Sequence, residues 1–327
     1  MKIAVVLLNW NGKELLERFL PAVVNHSHDA ELWVIDNAST DDSCAFLSAH
    51  YPQIKQVVLD KNYGFAKGYN EGLKDIKADV YCLLNNDVSP TQGWIHPIRT
   101  AFETTNIAIA QPKILSLNSP QQFDYAGAAG GYIDRFGFPY CRGRMFESIE
   151  TDENQYDTAD CFWASGACFF IRSTTWNALG GFDEDFFMHQ EEIDLCWRAF
   201  NAGYTTKCIT KASVHHLGAA SLKPSPRKTY LNHRNSLWML LKNLPARQLY
   251  LIVFLRMVLD GLAALRYLSQ GNGRSFFMVL KAHAKIYSSL NKTLKKRAKS
   301  NQQRVYYKTN NLPWAYFVLR KRKFSQL

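Results

Sequence analysis

Apolar runs alternate with amphipathic stretches along the first 84 residues. Runs rich in β-branched residues predict strands buried on both faces, at 3–8, 32–35, 57–59 and 80–84. The stretches between them predict helices at about 12–24, 41–49 and 66–76. Strands and helices that alternate at this spacing are typical of an α/β fold with a doubly wound sheet.

The middle of the chain is less regular. Residues 123–146 are rich in Gly and aromatic residues and lack periodicity, which predicts a loop or an irregular hairpin. The apolar run 161–171 predicts a strand that enters the core. Residues 190–202 have the apolar spacing of an amphipathic helix, and Gly203 is placed to end it.

The character of the chain changes near residue 222. Lys223-Pro224-Ser225-Pro226 predicts a linker. Beyond it the pattern predicts helices at 228–242, 246–269 and 274–296. The sequence therefore predicts two parts, an α/β domain over 1–222 and a helical segment over 223–327.

Charge separates the same two parts. The chain has a net charge of +11, but residues from 223 onward hold 22 Lys and Arg against one acid, Asp260. The first 222 residues hold 17 Lys and Arg against 27 Asp and Glu. Such a basic segment favours an anionic lipid surface, a nucleic acid or a polyanionic substrate as partner, the alternative being a solvated face without one.

The most apolar helix is predicted at 249–268, and it contains Arg256, Asp260 and Arg266. One ionised residue at the centre of a membrane costs roughly 2.5–3.5 kcal/mol, which disfavours a spanning helix. Arg256 and Asp260 have the spacing of an i,i+4 pair on a water-facing stripe. We expect a helix that lies in the membrane interface, with a soluble helical subdomain as the alternative.

The seven cysteines are odd in number and contain no C-x-x-C pair, so a disulfide framework is not expected and a reducing compartment is. The first apolar run is too short for a signal sequence and is predicted to be the first strand.

Three stretches rich in Asn and Asp follow predicted strands, at 9–11, 36–43 and 85–87. Ligands of open α/β sheets bind at the carboxyl ends of the strands, so these stretches predict a polar ligand site. Asp87 follows a buried strand and is a candidate ligand for Mg²⁺ or Mn²⁺, which prefer oxygen ligands and often use few protein carboxylates. The alternative role for such an aspartate is a helix cap.

Glu191, Glu192 and Asp194 crowd into the first turn of the predicted helix at 190–202. Repulsion between adjacent acids can raise a pKa and create a general base, although the helix dipole also favours acids there. His215 and His216 end an apolar stretch before small residues, and a histidine there is a candidate second metal ligand.

These stretches together resemble family 2 glycosyltransferases of GT-A fold, close to the rhamnosyltransferase-like branch. The resemblance covers about residues 1–235 and rests on VVLLNWNG (5–12), DNASTDDS (36–43), KNYGFAKGYNEGL (61–73), LLNNDV (83–88), the long stretch at 164–203 and HLGAAS (216–221). It implies a GT-A, Rossmann-like mixed sheet flanked by helices, followed here by the basic helical segment.

The resemblance also implies a donor site. Asp36 would contact the nucleobase, with Asn37, Ser39 and Asp41 around the nucleoside. The donor site would also be lined by Asn62, Gly64, Phe65 and Gly68, and we include Asn11 and Asn86 from the neighbouring polar stretches.

The same resemblance implies the reacting groups. Asp87 and His216 would bind the metal, and Asn85 stands where the family often has an aspartate, which implies a weaker metal site. Glu192 matches the position of the usual catalytic aspartate, with Glu191 and Asp194 as alternatives. Arg234, in the stretch RKTYLNHRNS, is the candidate contact to the donor diphosphate or to the acceptor.

The sequence thus predicts a metal-dependent, inverting glycosyltransferase that uses a UDP- or dTDP-sugar and a glycan acceptor, which we expect to be lipid-linked. We expect a cytoplasmic protein held peripherally at the inner face of the cell membrane by the basic segment, and no nucleic-acid partner. The alternatives are a catalytically weak partner subunit and, less favoured, a nucleic-acid-binding protein. The turn NWNGKE lacks the G-x-G-x-x-G of dinucleotide-binding oxidoreductases, and no P-loop motif is present.

Overall fold

A computed structural model describes residues 1–104, 106–218, 225–297, 302–303 and 305–327. Its strands in these residues are β1 Ile3–Asn9, β2 Glu31–Asp36, β3 Lys55–Val58, β4 Val80–Leu84, β5 Val88–Pro90, β6 Ile107–Ser116, β7 Gly131–Ile133, β8 Pro139–Cys141, β9 Arg144–Met145, β10 Ser148–Ile149, β11 Ala159–Cys161, β12 Cys168–Arg172 and β13 Thr205–His216. Its α-helices there are α1 Lys13–His26, α2 Ser43–His50, α3 Gly64–Gly72, α4 Ile95–Ala101, α5 Ser173–Leu179, α6 Glu191–Asn201, α7 Pro226–Asn243, α8 Leu249–Ser269 and α9 Gly273–Lys295.

The main sheet is mixed and has the order β11-β13-β6-β12-β4-β1-β2-β3, with β5 paired to β13. Strands β3, β2, β1 and β4 run parallel. β12 lies antiparallel between β4 and β6, and β6 runs parallel to β13. The α/β prediction is therefore confirmed.

Both faces of this sheet are covered. Along β1, Ala4 and Val6 pack into one apolar cluster and Val5 and Leu7 into the other, because successive side chains of a strand point to opposite faces. This burial on both faces explains why the sequence of β1 is continuously apolar rather than alternating.

The predicted strand at 161–171 is wrong. The structure has two short strands instead, β11 and β12, with residues 162–167 between them. Ser165 interrupts the run, since its backbone N–H donates to the side chain of Gln111 and its hydroxyl donates to the carbonyl of Ala126. The backbone therefore leaves the sheet between β11 and β12.

Other boundaries also differ. The helix predicted at 66–76 begins at Gly64 and ends at Gly72, and a short 3₁₀ turn over Leu73–Asp75 follows it. The prediction missed the two long strands β6 and β13, because both contain polar residues that break the apolar run. The stretch predicted as a loop or irregular hairpin contributes to a small antiparallel sheet, β7 to β10.

The three predicted C-terminal helices are confirmed as α7, α8 and α9, which pack on one another. The boundary predicted at 222/223, and Lys223 and Pro224 of the linker, lie outside the described residues. α7 begins directly after Ser225, whose hydroxyl accepts a hydrogen bond from the N–H of Lys228 and caps the helix.

The prediction that Arg256 and Asp260 face water is wrong. The two do pair at 3.0 Å, but they are 3% and 0% exposed. Asp260 also lies 3.0 Å from His233 of α7, and Arg256 donates to the carbonyl of Phe136. The charges of this buried pair are compensated inside the protein, and α8 turns these charged residues inward.

No α-helix in the described part of the chain is long and apolar enough to cross a membrane. All seven cysteines are free thiols.

Candidate active site

The three polar stretches meet at the carboxyl edge of the main sheet. Asp36 ends β2 and is 1% exposed. Its carboxylate accepts a hydrogen bond from the backbone N–H of Ser39 at 2.8 Å and another from the side-chain amide of Asn9 at 3.3 Å. The side-chain oxygen of Asn9 accepts in turn from the amide of Asn86 at 3.2 Å. The structure therefore brings together the ends of β1, β2 and β4.

Asn11 and Asp41 connect the loop after β1 to the loop after β2. The N–H of Asn11 donates to the hydroxyl of Ser39 at 2.9 Å, and its side-chain oxygen accepts from the N–H of Thr40 at 2.7 Å. Asp41 accepts from the N–H of Lys13 at 3.1 Å, at the start of α1, where the helix dipole favours negative charge. These bonds fix the shape of the edge around Asp36.

Asn37 connects the same edge to α3. Its amide nitrogen lies 3.1 Å from the side-chain oxygen of Asn62 and 3.1 Å from the carbonyl of Gly64. Its side-chain oxygen accepts from the N–H of Tyr63 at 2.8 Å. Gly68 permits this close approach, because a Cβ there would stand 3.2 Å from the amide nitrogen of Asn37. These predicted donor-site residues form one hydrogen-bonded group.

Asp87 and His216 face each other in a buried position, and each is 2% exposed. The Nε2 atom of His216 lies 3.2 Å from Oδ1 of Asp87. Nε2 and Oδ2 of Asp87 are both buried without a hydrogen-bond partner. On the other side of the ring, Nδ1 lies 3.0 Å from a carboxylate oxygen of Asp124. A carboxylate that orients a histidine in this way is the usual support for a metal-binding imidazole.

The charge at this position is also suited to a cation. Burial disfavours the protonated ring, but the carboxylates of Asp124 and Asp87 outweigh burial and raise the pKa of His216 to about 10. Two carboxylates that hold a proton so tightly would favour a divalent cation in its place. The described residues contain no cluster of three or more His, Cys, Asp or Glu that could hold a metal. Asp87 and His216, with one buried carboxylate oxygen free of a hydrogen bond, fit an ion that completes its coordination with substrate oxygens and water.

The break between β11 and β12 joins this position to α6. The N–H of Asn85 donates to the carbonyl of Ala167 at 3.0 Å. A Cβ placed on the adjacent Gly166 would stand 3.7 Å from the ring of Phe65 and 3.9 Å from the carboxyl carbon of Glu192. Gly166 therefore lies between the predicted donor-lining helix and the predicted base, and its missing side chain leaves space beside both.

Glu191 and Glu192 have raised pKa values at the start of α6. Burial raises the pKa of Glu192 to about 7. Burial and the neighbouring charge of Glu192 raise the pKa of Glu191 well above its usual range. One carboxylate oxygen of each is buried without a partner. A proton-accepting role was predicted from repulsion between adjacent acids, but burial is the larger cause.

Asp194, the third acid of this turn, has a different environment. It is 0% exposed and lies 2.7 Å from the ammonium of Lys242 and 2.9 Å from the guanidinium of Arg198. The amide of Asn243 donates to its other oxygen at 2.8 Å. Burial alone would raise the pKa of Asp194, but Lys242 and Arg198 outweigh burial and lower it. Asp194 is thus held as an ionised, fully paired group that fastens α6 to α7.

The loop before α6 has a strained backbone. The backbone φ angles of Phe187, His189 and Gln190 are 66°, 69° and 70°, in a region that residues other than glycine rarely adopt. The amide nitrogen of Asn235 lies 2.7–3.2 Å from the carbonyls of Phe186, Met188 and His189. α7 therefore holds the loop that leads directly into Glu191 and Glu192.

Arg234 takes part in this support. Its guanidinium donates to the carbonyl of Phe186 at 2.9 Å and to the side chain of Asn235 at 2.9 Å, and it stacks 4.2 Å from the ring of Trp238. It is 9% exposed. Its contact with a diphosphate or an acceptor stays a prediction, because these partners already account for its position.

The sequence analysis missed Asp124, Lys242 and Asn235. Asp124 is 92 residues from His216 in the chain and carries no motif, so no sequence signal identified it. The sequence does contain an indication for Lys242, because a single cation in the apolar run LWMLLKNL (237–244) suggests a buried ion-pair partner. Asn235 lies beside Arg234 but belonged to no chemical pattern.

Comparison with known proteins places this geometry in a family. The family model for glycosyl transferase family 2 matches residues 4–174. The low-salt glycan biosynthesis hexosyltransferase Agl10 of Haloferax volcanii is 23% identical over 242 residues, which cover 71% of this chain and 73% of the relative. The N-acetylglucosaminyl-diphospho-decaprenol L-rhamnosyltransferase of Mycobacterium tuberculosis is 23% identical over 258 residues, covering 73% and 83% respectively.

Solved structures share the fold. GalNAc-T7 with UDP, GalNAc and Mn²⁺ superposes with a TM-score of 0.58 at 15% identity, over 73% of this chain and 48% of that protein. The mannosyltransferase PcManGT of Pyrobaculum calidifontis, in complex with GDP-Man and Mn²⁺, superposes with a TM-score of 0.52 at 13% identity, over 88% and 75%. The predicted GT-A type of mixed sheet is confirmed. The chain belongs to glycosyl transferase family 2, in agreement with the predicted rhamnosyltransferase-like branch.

Proposed function

We propose that this glycosyltransferase moves a sugar from a UDP- or dTDP-sugar to a hydroxyl of a lipid-linked glycan, with inversion and with help from Mg²⁺ or Mn²⁺. The observation that carries the proposal is the set of buried, unpartnered atoms at one edge of the sheet. These are Oδ2 of Asp87, an oxygen of Glu192, and Nε2 of His216, whose one ion-pair contact is with Oδ1 of Asp87. A buried polar atom without a partner costs free energy, so such a set indicates groups that await a ligand.

Asp87 and His216 would hold the metal, with Asp124 orienting the histidine. When bound there, a divalent cation would neutralise the negative charge that develops on the departing nucleoside diphosphate. Asp36, buried at the end of β2, would bind the nucleobase. The hydrogen-bonded group around Asn37 would hold the rest of the nucleoside, and Phe65 would line the donor beside Gly166.

Glu192 would be the general base. Its pKa of about 7 leaves it able to accept a proton from an acceptor hydroxyl near neutral pH, and its space beside Gly166 admits that hydroxyl. A single displacement by the hydroxyl inverts the anomeric centre and needs no protein nucleophile. Glu191 lies next to Glu192, and its raised pKa favours its protonated, uncharged form. Asp194 anchors α6 through its ion pair with Lys242.

The acceptor class follows from the basic C-terminal segment, where the single acid Asp260 is buried. A lipid-linked acceptor would be held at an anionic membrane surface, and each Lys or Arg near such a surface contributes about 1 kcal/mol. We place the enzyme peripherally at the cytoplasmic face. One of the two relatives described above is named for glycan biosynthesis and the other for a sugar linked through diphosphate to decaprenol, which supports the same class of acceptor.

Thermal-shift binding tests the donor and metal site. UDP, dTDP and GDP are each added with Mn²⁺, Mg²⁺ or EDTA to wild type, Asp87→Ala and the exposed control Asp29→Ala. We expect one nucleotide to stabilise wild type and Asp29→Ala only with metal, by about 2–3 kcal/mol near a hundredfold excess over its Kd. That stabilisation should disappear in Asp87→Ala. Absence of any nucleotide effect in both metals would overturn the proposal.

A further inference from the structure

Helix α8 exposes an apolar face and buries two charged residues among apolar ones. Its buried side includes Arg256 and Asp260, which pair at 3.0 Å. Its opposite side exposes a row of large apolar side chains, Leu251, Phe254, Val258, Leu262, Leu265 and Leu268, which are 47–63% exposed. Surface helices of globular proteins normally bury the apolar stripe and expose the charges.

The charges inside α8 are stably accommodated, so the orientation is not a matter of weak packing. Asp260 contacts His233 at 3.0 Å on α7, and it lies 3.7 Å from His283 on α9. Arg256 stacks 3.8 Å from the ring of Phe138 and donates to the carbonyl of Phe136. If α8 were rotated to bury its apolar row, Arg256 and Asp260 would lose their contacts with α7, with α9 and with the segment at Phe136.

Neighbouring elements also expose large apolar side chains. Phe277 and Leu280 of α9 are 63% and 46% exposed. Phe317, 47% exposed, lies against Arg266 of α8, with 4.9 Å between the guanidinium carbon and the ring centre. Contiguous apolar surface of this extent marks a site that is covered by something else in the working protein.

The charges around the row define what covers it. Arg266 of α8, Arg274, Lys281 and Lys285 of α9, and Arg320 are all exposed. The one acid of the chain beyond residue 222 is Asp260, which is 0% exposed, so this segment has no exposed carboxylate to offset them. An apolar stripe beside a group of exposed cations matches the boundary between acyl chains and anionic headgroups of a bilayer.

We propose that the exposed row of α8, with Phe277, Leu280 and Phe317, is a membrane-docking face that inserts into the interface of an anionic bilayer. The proposal deepens the membrane attachment in the proposed function, because it assigns attachment to one face and to apolar contact as well as charge. It requires α8 to lie along the surface with Arg256 and Asp260 directed away from the lipid. Its truth does not depend on the donor, the metal or the base.

Vesicle co-sedimentation with the full chain tests the docking face. The probes are vesicles of neutral phosphatidylcholine and vesicles with one quarter phosphatidylglycerol, at about 0.1 M and 0.5 M NaCl. We expect wild type to bind the anionic vesicles at least tenfold more tightly than the neutral ones, with weaker binding at high salt. Equal binding to both vesicle types, or binding to neither, would overturn the proposal.

Matched variants separate apolar contact from charge. The triple variant Phe254→Ser, Leu262→Ser, Leu265→Ser leaves the net charge unchanged and should lose at least tenfold in binding to anionic vesicles. The control Val58→Ser removes an equally exposed apolar residue, 64% exposed on β3, and should bind as wild type does. A triple variant that binds vesicles as tightly as wild type would overturn the assignment of this face.

Two further measurements distinguish the outcomes. Thermal unfolding of the triple variant should match wild type, because the three side chains are exposed; a large loss of stability would require Leu251→Ser and Val258→Ser in their place. Sedimentation velocity without lipid should give the same mass for both proteins, whereas a wild-type dimer abolished in the variant would identify a second copy as the occupant instead. Nucleotide binding by thermal shift is read in parallel, so failure of docking and failure of the donor site remain distinguishable.

Discussion

Carboxylates occupy two contrasting environments in this fold. Asp87, Glu191 and Glu192, which we call the open carboxylates, each keep a buried oxygen without a partner. Asp183 and Asp194, which we call the paired carboxylates, share the ammonium of Lys242, at 2.7 Å from each. Both groups are removed from water, and only the paired carboxylates have a lysine ammonium as partner.

The two groups meet within one turn of α6. Glu192 and Asp194 are two positions apart, so their side chains point to nearly opposite sides of the helix. Burial raises the pKa of Glu192, whereas Lys242 and Arg198 overcome burial and lower the pKa of Asp194. Closeness in sequence therefore does not imply a shared role. The environment on each side of the helix separates a proton-accepting group from an anchoring group.

The largest expected effect is the loss of activity in Glu192→Gln. Loss of a general base lowers kcat by about 10²–10⁴-fold. The fold should remain at least as stable as wild type near pH 8, because the substitution removes a buried carboxylate without a cationic partner. Steady-state sugar transfer and urea unfolding measure the two quantities. The control Glu191→Gln should lose less than tenfold in kcat; the opposite order would assign the base to Glu191.

Asp194→Ala should show the reverse pattern, with loss of stability as its main effect. Removing one partner of a buried ion pair costs about 3–5 kcal/mol, because Lys242 and Arg198 lose a compensating charge. Urea unfolding measures the loss. Glu184→Ala is the matched control, since it breaks an exposed pair with Lys67 that is worth no more than about 1 kcal/mol. A stability loss as small as that of the control would contradict the anchoring role.

The comparison also shows how far sequence patterns reach. The strands β1 to β4 and the helix α6 follow from local periodicity. The meeting of three polar stretches at one edge follows from the rule that ligands bind at the carboxyl ends of strands. Asp124, 92 residues from His216, was beyond reach because only the folded β6 and β13 bring the two together. Contacts between distant segments carry no local pattern.

The orientation of α8 was mispredicted for a related reason. Periodicity divides a helix into two faces but does not say which face the protein covers. Arg256 and Asp260 were assigned to water because charged residues are usually exposed. Their partners, His233 and the carbonyl of Phe136, lie on other elements, so the inward direction could be recognised only in the fold.

A smaller effect than the loss of stability in Asp194→Ala is expected for the pH dependence of stability, which should differ between wild type and Glu192→Gln. In the folded chain Glu192 keeps its proton up to pH about 7, against an ordinary value of 4.5 in the unfolded chain. The folded state thus binds more protons between these values, so this group makes stability fall as pH rises from about 4.5 to 7. The total is about 3 kcal/mol.

Urea unfolding from pH 4.5 to 8 measures this change. The difference in stability between Glu192→Gln and wild type should grow across the window and level off above pH 7. A constant difference would show that Glu192 has an ordinary pKa, which would remove it from the open carboxylates.

The smallest effect on stability is expected for Asn235→Ala, which tests how the open carboxylates are held. Asn235 supplies the donor for three loop carbonyls, and its loss should cost about 1–2 kcal/mol. Because the loop leads into Glu192, kcat should fall about tenfold and the pH midpoint of kcat should move toward the ordinary glutamate range as water enters. Asn232→Ala is the control, since Asn232 contacts Gln190 through its backbone carbonyl. An unchanged pH midpoint with lower stability would limit Asn235 to a structural role, and the strained loop would then not determine the environment of the base.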